Sequence, residues 1–209
     1  MAAATDLKNR VKPVQGISFI THTKLCTLMK VIGVVSSPRR NGNTMRLVEE
    51  VIRGAKEAGH TTRIFNLADL DIGPLEADDT AYVYPDDGFS ELMPHLESMG
   101  GLVMGTPIYY DHVSGRLKVF IDRLYYYSRS HGDEYRRRFP SGVKCVNAIT
   151  CGWDNINAYD EVLKWMNDRM VNYWGMKIHG NLKAYGTGNL PVSQNNPLLE
   201  KARKLGKTI

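Results

Sequence analysis

The segment from residue 36 to residue 44 reads SSPRRNGNT and carries polar groups that can hold an anion. It supplies three hydroxyls, a guanidinium and a glycine, at Ser36, Ser37, Thr44, Arg39 or Arg40, and Gly42. A helical pattern begins at Asn43, and the free N–H groups and positive dipole of a helix N-terminus favour a phosphomonoester there. The segment has neither G-x-G-x-x-G nor G-K-[ST], which argues against a dinucleotide-binding Rossmann site or an ATPase. A polar turn that only caps a helix is the alternative.

A second segment, TPIYYDHVSGRLK, places a proline, two adjacent tyrosines and a glycine after an apolar strand pattern. Large aromatic side chains are costly to expose at such a position unless something covers them. Tyr109 and Tyr110 can flank a flat ring system, and backbone groups near Pro107 can bond its polar edge. Packing of the two tyrosines on the following helix is the alternative.

Strand and helix patterns alternate from residue 30 onward, and they determine where these segments lie. Short apolar runs indicate strands buried on both faces, namely KVIGVV, HTTRIFNL, GGLVMGTPIYY, VKCVNAIT and KIHGNLKAYG. Helical spacing occurs in residues 43–59, 114–128, 158–173 and 195–205, and is weakened by Pro94 in 89–99. We predict a three-layer α/β fold with a five-stranded, mainly parallel sheet. Ligands then bind beyond the carboxyl ends of the strands, in the loops after Val35, Gly105 and Thr150.

Composition limits the chain to one ordinary globular core, since 209 residues are 43% hydrophobic and 23% charged. The formal net charge is +5, but five basic residues and one acidic residue within 1–30 account for +4 of it. The remainder is nearly neutral, which argues against a nucleic-acid partner. We predict an N-terminal extension at 1–29 and one domain at 30–209. No apolar run reaches the roughly 18 residues of a membrane span, and no signal-peptide core is present, so we expect no membrane partner.

Cysteine is sparse, with Cys26, Cys145 and Cys151 and no C-x-x-C pair. We therefore predict no disulfide framework and no metal site, and the thiols fit a cytoplasmic location. Cys151 directly follows an apolar strand, where a lone cysteine is interpreted as a small core residue without a catalytic role.

Taken together, GVVSSPRRNGNT and TPIYYDHVSGRLKVFIDR resemble the NADPH-dependent FMN reductase branch of the flavodoxin-like superfamily. Within that branch they are most similar to the iron-sulfur flavoproteins and related multimeric reductases, from about residue 30 to residue 186. The resemblance implies a flavodoxin-like sheet in the order 2-1-3-4-5, FMN as cofactor and NADPH or NADH as electron donor. It also implies a homodimer or homotetramer in which a neighbouring subunit helps to form the flavin pocket.

The resemblance, carried over by position, implies three groups of FMN-binding residues. They are a phosphate cradle of Ser36, Arg39, Asn43 and Thr44; a border of the isoalloxazine at Pro107, Ile108, Tyr109 and Tyr110, with Ser114 and Gly115 starting the next helix; and, on the other side of the ring, Thr150, Cys151, Gly152 and Trp153. No catalytic residue is implied, because the cofactor carries the chemistry. Iron-sulfur members of the family have a cysteine motif after the second strand. Here no cysteine lies between Cys26 and Cys145, so we predict no cluster.

The leading hypothesis is an FMN-dependent oxidoreductase that moves electrons from NAD(P)H through bound FMN to a quinone, a flavin or another small-molecule acceptor. The alternatives are an FMN-binding electron carrier reduced by a partner protein, and a non-redox phosphate-binding module. The nearly neutral body favours the reductase, since carriers that dock on redox partners tend to be strongly acidic. For His112 we favour a solvent-facing position, with a hydrogen bond to a bound quinone or nicotinamide as the alternative.

The segment YYYSRSHGDEYRRRF combines tyrosines with four arginines, at Arg129, Arg136, Arg137 and Arg138. Aromatic and arginine residues are enriched at subunit interfaces, so we favour an oligomer contact. A site for the phosphates of a pyridine nucleotide is the second choice, and nucleic acid the third.

Overall fold

One parallel sheet forms the centre of the molecule, in a computed structural model that describes residues 27–76 and 85–209. Its strands are β1 (Lys30–Val35), β2 (Thr61–Asn66), β3 (Met99–Tyr109), β4 (His112–Val113), β5 (Lys144–Thr150) and β6 (Lys177–Ala184). The short β4 pairs antiparallel with the end of β3, and the other five strands are parallel. Their order, β2-β1-β3-β5-β6, is the predicted order 2-1-3-4-5 once β4 is set aside.

Helices cover both faces of the sheet, which confirms the three predicted layers. They are α1 (Asn43–Glu57), α2 (Gly88–Leu96), α3 (Gly115–Arg123), α4 (Asp133–Arg138), α5 (Asp160–Trp174) and α6 (Asn196–Thr208). Successive side chains of a strand point to opposite faces. Val31 and Val35 of β1 therefore pack in the core with α1 and α6, while Ile32 and Val34 pack in the core with α2, α3 and α5. β1 is apolar along its length because both of its faces are buried.

Helices α1 and α6 pack with their backbones in close contact, and two glycines permit this. A Cβ atom added at Gly206 would lie 1.8 Å from the carbonyl oxygen of Val51, and one at Gly54 would lie 2.1 Å from that of Arg203. At the surface of the same contact, Glu57 of α1 pairs with Arg203 and with Lys207 of α6.

β3 ends at Tyr109, within the predicted run GGLVMGTPIYY. The loop expected after Gly105 therefore begins later, because Thr106 and Pro107 still pair with β5 and the last two residues of the strand pair with β4. The chain after β3 differs from the predicted elements in two places. The helix predicted over 114–128 ends at Arg123 and continues as a 3-10 turn over Leu124–Tyr127. The segment after it was predicted as a loop but contains α4.

A nearly buried ion pair fixes the long connection between β2 and α2 onto α3. Arg123 donates through Nη1 to Asp87 Oδ2 (2.6 Å) and through Nη2 to Asp87 Oδ1 (3.0 Å). The same Nη1 atom donates to the carbonyl oxygen of Gly73 at 3.0 Å. Both described ends of the connection are therefore held against the helix that follows β3.

The predicted N-terminal extension, 1–29, lies outside the described residues except for 27–29. Residue 29 contacts the sheet, since the N–H of Thr61 donates to the carbonyl oxygen of Met29 at 3.1 Å. Across residues 27–76 and 85–209, no helix has both the length and the apolar character that crossing a membrane requires.

Candidate functional site

Three loops meet at the carboxyl edge of the sheet, after β1, β3 and β5, and buried hydroxyl groups connect them. Ser114 Oγ, at the start of α3, lies 2.8 Å from Ser36 Oγ in the first loop. Thr44 Oγ1 lies 2.7 Å from Thr150 Oγ1, which joins α1 to the end of β5. All four side chains are buried. The loops predicted to hold a ligand are therefore linked by side-chain hydrogen bonds.

The first turn of α1 has N–H groups that a ligand can use. Its N-cap is Gly42, which has no side chain to cap the helix, and the turn contains no acidic residue. Among the described residues, none accepts a hydrogen bond from the N–H of Asn43, Thr44 or Met45. Unpaired N–H groups and the positive end of the helix dipole bind anions. The arrangement fits a phosphate group.

The two arginines of the first loop have different surroundings. Arg40 forms an ion pair with Asp69, just beyond β2. Arg39 is exposed, and no described carboxylate pairs with its guanidinium. The N–H of Arg39 donates to Ser37 Oγ at 3.1 Å, which fixes the loop in front of α1. Of the two arginines, Arg39 is therefore the one whose charge no described carboxylate neutralises.

Two residues of the predicted cradle also hold the fold together. The Ser36 hydroxyl donates to the carbonyl oxygen of Gly105 at 3.1 Å and lies beside Ser114. Asn43 Oδ1 accepts from the N–H of Val192 at 2.9 Å, which connects α1 to the chain before α6. Neither contact could be read from a single sequence.

Ser37 is a further candidate for the cradle, in addition to the four residues that the resemblance implies. Its side chain is buried, and its oxygen accepts from Arg39 N–H. None of the described residues accepts the hydroxyl hydrogen of Ser37, so this hydrogen can be donated to a ligand. The signal in the sequence was its position between Ser36 and Arg39.

The tyrosines of the second loop face solvent. Tyr109 is 46% exposed and Tyr110 is fully exposed, so they do not pack on α3 as the alternative interpretation required. Pro107 is buried and Ile108 is half-buried, and these residues continue the strand beneath the tyrosines. Ser114 caps α3 by accepting from the N–H of Leu117 at 3.4 Å. The loop thus presents two aromatic rings above a fixed strand end.

The third loop combines a buried beginning with an exposed end. Thr150 and Cys151 are buried, whereas Gly152 is exposed and Trp153 is 59% exposed. The N–H of Cys151 donates to the carbonyl oxygen of Ala184 at 2.8 Å. Burial raises the pKa of the Cys151 thiol, which favours its protonated form. This agrees with its interpretation as a small buried residue.

Further contacts at this edge involve Tyr159 and Asp111, which no sequence motif indicated, and His112, for which a solvent-facing position was expected. Tyr159 Oη donates to Asp111 Oδ1 at 2.9 Å, which links the third loop to the tip of the second. His112 is exposed, as favoured above, and its ring contacts that of Trp165 with centroids 4.8 Å apart. A cleft of about 370 Å³ opens beside the first turn of α3 and is lined by Leu67, Leu70, Asp71, Ile72, Gly115, Arg116 and Val119.

Comparison with known proteins gives sequence relatives along most of the chain. Residues 29–146 match the model of the family described as NADPH-dependent FMN reductase. An iron-sulfur flavoprotein of Methanocaldococcus jannaschii is 33% identical over 195 residues, which cover 87% of this chain and 95% of that protein. A second iron-sulfur flavoprotein, from Archaeoglobus fulgidus, is 24% identical over 87% of this chain and 79% of its own length.

Solved structures share the fold at lower identity. The NAD(P)H:quinone oxidoreductase from Methanothermobacter marburgensis superposes with a TM-score of 0.66 at 18% identity, over 87% of this chain and 96% of its own. An azoreductase from Bacillus anthracis superposes with a TM-score of 0.61 at 16% identity, over 87% and 100%. These similarities confirm the flavodoxin-like fold. Since the family model matches more than half of the chain and the Methanocaldococcus relative aligns over nearly its whole length, the chain belongs to the NADPH-dependent FMN reductase family.

Proposed function

We propose that the protein passes electrons from NAD(P)H, through FMN held at the carboxyl edge of the sheet, to a quinone, a free flavin or another small acceptor. The observation that carries this proposal is the uncapped first turn of α1, which is preceded by Arg39, whose guanidinium pairs with no described carboxylate, and by Ser37, whose hydroxyl hydrogen no described residue accepts. Together these groups offer N–H donors, positive charge and a hydroxyl to one phosphate.

The family supplies the coarser part of this function: the chain is an oxidoreductase that uses FMN and takes electrons from NAD(P)H. When bound, FMN supplies the redox chemistry, since it can accept a hydride from the nicotinamide and release electrons to an acceptor. The protein then has to bind and orient the two molecules and keep water from the reacting atoms. No acid or base of the chain is needed, and we assign no catalytic residue.

The residues at the edge divide this work between phosphate and ring. Arg39, Ser37 and the first turn of α1 would hold the phosphate. Tyr109, Tyr110 and Trp153 are large aromatic side chains that remain exposed, and a flat ring between them would cover their surface. The main chain at Pro107, Ile108 and Gly152 would line the slot that we propose for the flavin ring.

The planar shape of quinones and flavins supports them as the proposed class of electron acceptors. A planar quinone or flavin can stack on an exposed aromatic side chain such as Tyr110, and such stacking does not depend on a specific hydrogen bond. The Methanothermobacter protein of the same fold is named for a quinone acceptor. The exposed ring of His112 lies at the same loop and could donate to a quinone oxygen.

The acceptor is tested by mixing FMN-loaded protein, reduced without oxygen by one equivalent of NADPH, with 1,4-benzoquinone. We expect reoxidation with one quinone consumed per flavin, at a rate well above that of free reduced FMN at the same concentration. A rate no higher than that of free FMN would contradict the proposal that the site admits a quinone.

We also propose a homo-oligomer, in agreement with the oligomer contact predicted around residues 125–139. Tyr125, Val171 and Tyr173 are exposed apolar side chains on neighbouring elements. Two adjoining clefts of about 350 and 460 Å³ share Tyr125, Tyr173 and Trp174 as lining residues. Apolar and aromatic surface of this kind is typical of subunit contacts. Light scattering should give the mass of two or four chains, and the mass of one chain would contradict this proposal.

A further inference from the structure

All three non-glycine residues with positive φ in the described part of the chain lie at the proposed flavin site. They are Tyr110 (φ 47°), Asp111 (φ 62°) and Tyr159 (φ 64°). L-residues rarely adopt this conformation because the Cβ atom approaches the neighbouring carbonyl oxygen. Such residues persist where surrounding contacts hold them, and they concentrate at functional sites.

Two of these residues form the whole turn between β3 and β4. Tyr109 pairs with His112, so Tyr110 and Asp111 are the two central residues of a tight hairpin. A turn with positive φ at both positions normally contains Asn-Gly or a similar pair. Here the residues are tyrosine and aspartate, so the turn depends on contacts from outside the hairpin.

Those contacts come from the chain at the start of α5. Tyr159 Oη donates to Asp111 Oδ1 at 2.9 Å, although the two residues are 48 positions apart. The ring of Trp165 packs edge-on against that of His112, with centroids 4.8 Å apart. The strained turn of the second loop is thus held by the residue that leads into α5 and by a residue in the second turn of that helix.

Tyr159 is itself held in a strained and well-fixed position. It precedes the first residue of α5 in the left-handed conformation, and its ring packs against Trp153 with centroids 6.0 Å apart. The next residue, Asp160, forms an ion pair with Lys183 of β6. The hydrogen bond to Asp111 raises the pKa of the Tyr159 hydroxyl, which keeps the donor protonated. The hydrogen bond thus joins two residues whose backbones are strained. Contacts from neighbouring residues hold each of them in place.

We propose that the Tyr159–Asp111 hydrogen bond is a latch that sets the separation of the second and third loops and thereby positions Tyr109 and Tyr110 opposite Trp153. The inference rests on the proposed function, because it takes these three aromatic residues as the walls of the flavin slot. Tyr159 and Asp111 are positioning residues: they act through the loops that they connect and need not touch the flavin.

The first test removes only the hydroxyl. Tyr159→Phe keeps the ring against Trp153 and loses the bond to Asp111. We expect the dissociation constant of FMN to rise about three- to tenfold, the range that one hydrogen bond supports. Ser98→Ala is the control, because it removes an exposed hydroxyl that lies directly before β3, at the edge of the sheet opposite the three loops, and its FMN affinity should equal that of the wild type.

The second test separates positioning from stability. Asp111→Gly removes the carboxylate and also relieves the left-handed strain, so we expect the melting temperature of the FMN-free protein to change by less than about 3 °C. FMN affinity should nevertheless fall by the same factor as in Tyr159→Phe. The variant that carries both substitutions should lose no more FMN affinity than either single variant. Asp111→Asn keeps an acceptor oxygen and tolerates positive φ, so it should restore FMN affinity to within about twofold of the wild type.

The proposal is contradicted if the Asp111→Gly variant binds FMN with the affinity of the wild type and NADPH reduces its bound FMN at the wild-type rate. It is also overturned if Asp111→Gly lowers affinity only in proportion to a lower melting temperature, because that result marks a purely structural contact. Failure of the proposed function looks different, since the wild type itself would then not bind FMN. The latch is supported by the remaining pattern, in which affinity falls without loss of stability and asparagine rescues it.

Discussion

At the scale of single residues, neighbouring side chains of one type have different roles because their surroundings differ. Arg39 and Arg40 are adjacent in the first loop, yet only Arg40 is paired with a described carboxylate, that of Asp69. Pairing satisfies the guanidinium and reduces its attraction for a ligand anion. The structure thus distinguishes the two arginines, which the sequence analysis had treated as alternatives before the family resemblance favoured Arg39.

Because their surroundings differ, we expect the same substitution to have unequal effects on FMN affinity at the two arginines. Arg39→Gln should raise the dissociation constant of FMN about tenfold, since a charge-assisted hydrogen bond to phosphate contributes about 1.5 kcal/mol or more. Arg40→Gln removes the same charge one position away, where it is already paired, and should change FMN affinity by less than about twofold. The measurement is quenching of FMN fluorescence on titration with protein. Equal losses in both variants would show that Arg39 has no specific contact with the phosphate.

Residues that could not be predicted at the site are those defined by three-dimensional contacts. The motif SSPRRNGNT indicated an anion site, because hydroxyls, arginine and a helix start lie close together in sequence. The bond between Tyr159 and Asp111 has no comparable signal, since the two residues are far apart and Tyr-Asp is not a usual pair for a tight hairpin. The hydrogen bond from the N–H of Val192 to Asn43 Oδ1 has no sequence signal for the same reason, since the two residues are far apart along the chain.

At the scale of elements, the contact between α1 and α6 determines how firmly the first loop is supported, because α1 begins at the proposed phosphate site. Gly54 and Gly206 allow the two backbones to approach closely. Glu57 then pairs with Arg203 and Lys207 at the edge of the contact. The C-terminal helix therefore supports the site although it contributes no residue to it.

A methyl group in this contact should be costly. In Gly206→Ala the new Cβ would meet the carbonyl oxygen of Val51 at 1.8 Å, so the helices must separate. We expect a net loss of about 1–3 kcal/mol in the free energy of unfolding, despite the better helix propensity of alanine. Urea denaturation measures it. Gly188→Ala, where no atom lies within 4 Å of the added Cβ, is the control and should be neutral or slightly stabilising; the same result for Gly206→Ala would contradict the close contact.

The ion pairs of Glu57 predict a pH-dependent contribution to stability. The hydrogen bond from Arg203 is the largest cause that lowers the pKa of Glu57 from 4.5 to about 2 in the folded protein. A carboxyl group whose pKa is lower in the folded protein than in the unfolded chain stabilises the fold at pH values above its unfolded pKa. This stabilisation is lost as the pH falls toward the folded pKa. The difference in melting temperature between the wild type and Glu57→Gln should therefore be constant above pH 5 or so and disappear between pH 4.5 and about 2.

The control for this titration is Glu49→Gln, an exposed glutamate of the same helix whose ion pair with Arg46 is long, at 4.0 Å, and exposed. Its melting temperature should stay close to that of the wild type at neutral pH. If Glu57→Gln also matches the wild type at neutral pH, the ion pairs contribute nothing and the account of this contact fails.

The elements most accurately predicted are those with a strong local pattern. β1 was predicted at its observed bounds, because a continuous apolar run matches a strand buried on both faces. The run GGLVMGTPIYY contains the observed end of β3 at Tyr109, but the loop was expected directly after Gly105, since the last residues of β3 pair with a two-residue strand that has no pattern of its own. α4 was not predicted, because six residues rich in charge resemble a solvated loop.

At the scale of the whole molecule, the redox centres follow from composition. Sequence relatives are named iron-sulfur flavoproteins, but a [4Fe–4S] cluster is held by four thiolates and this chain has three cysteines. Cys145 and Cys151 lie at opposite ends of β5, and burial raises the pKa of Cys145 to about 12. Thiols in such positions do not form a cluster site together.

Flavin should accordingly be the only redox centre of this chain. We expect protein reconstituted with iron, sulfide and FMN, and then desalted, to retain about one FMN and no stoichiometric iron or acid-labile sulfide. Metal analysis together with the absorbance spectrum measures both. Retention of several irons per chain would contradict this prediction and would require ligands other than those considered above.

The most direct test of the central claim is the visible spectrum of FMN-loaded, desalted protein without oxygen, before and after NADPH and then NADH are added. We expect the flavin band to survive desalting and to bleach rapidly with at least one of the two nucleotides. Loss of the flavin during desalting would contradict the phosphate site at the first turn of α1. A retained band that neither nucleotide bleaches would contradict the assignment of NAD(P)H as the electron donor.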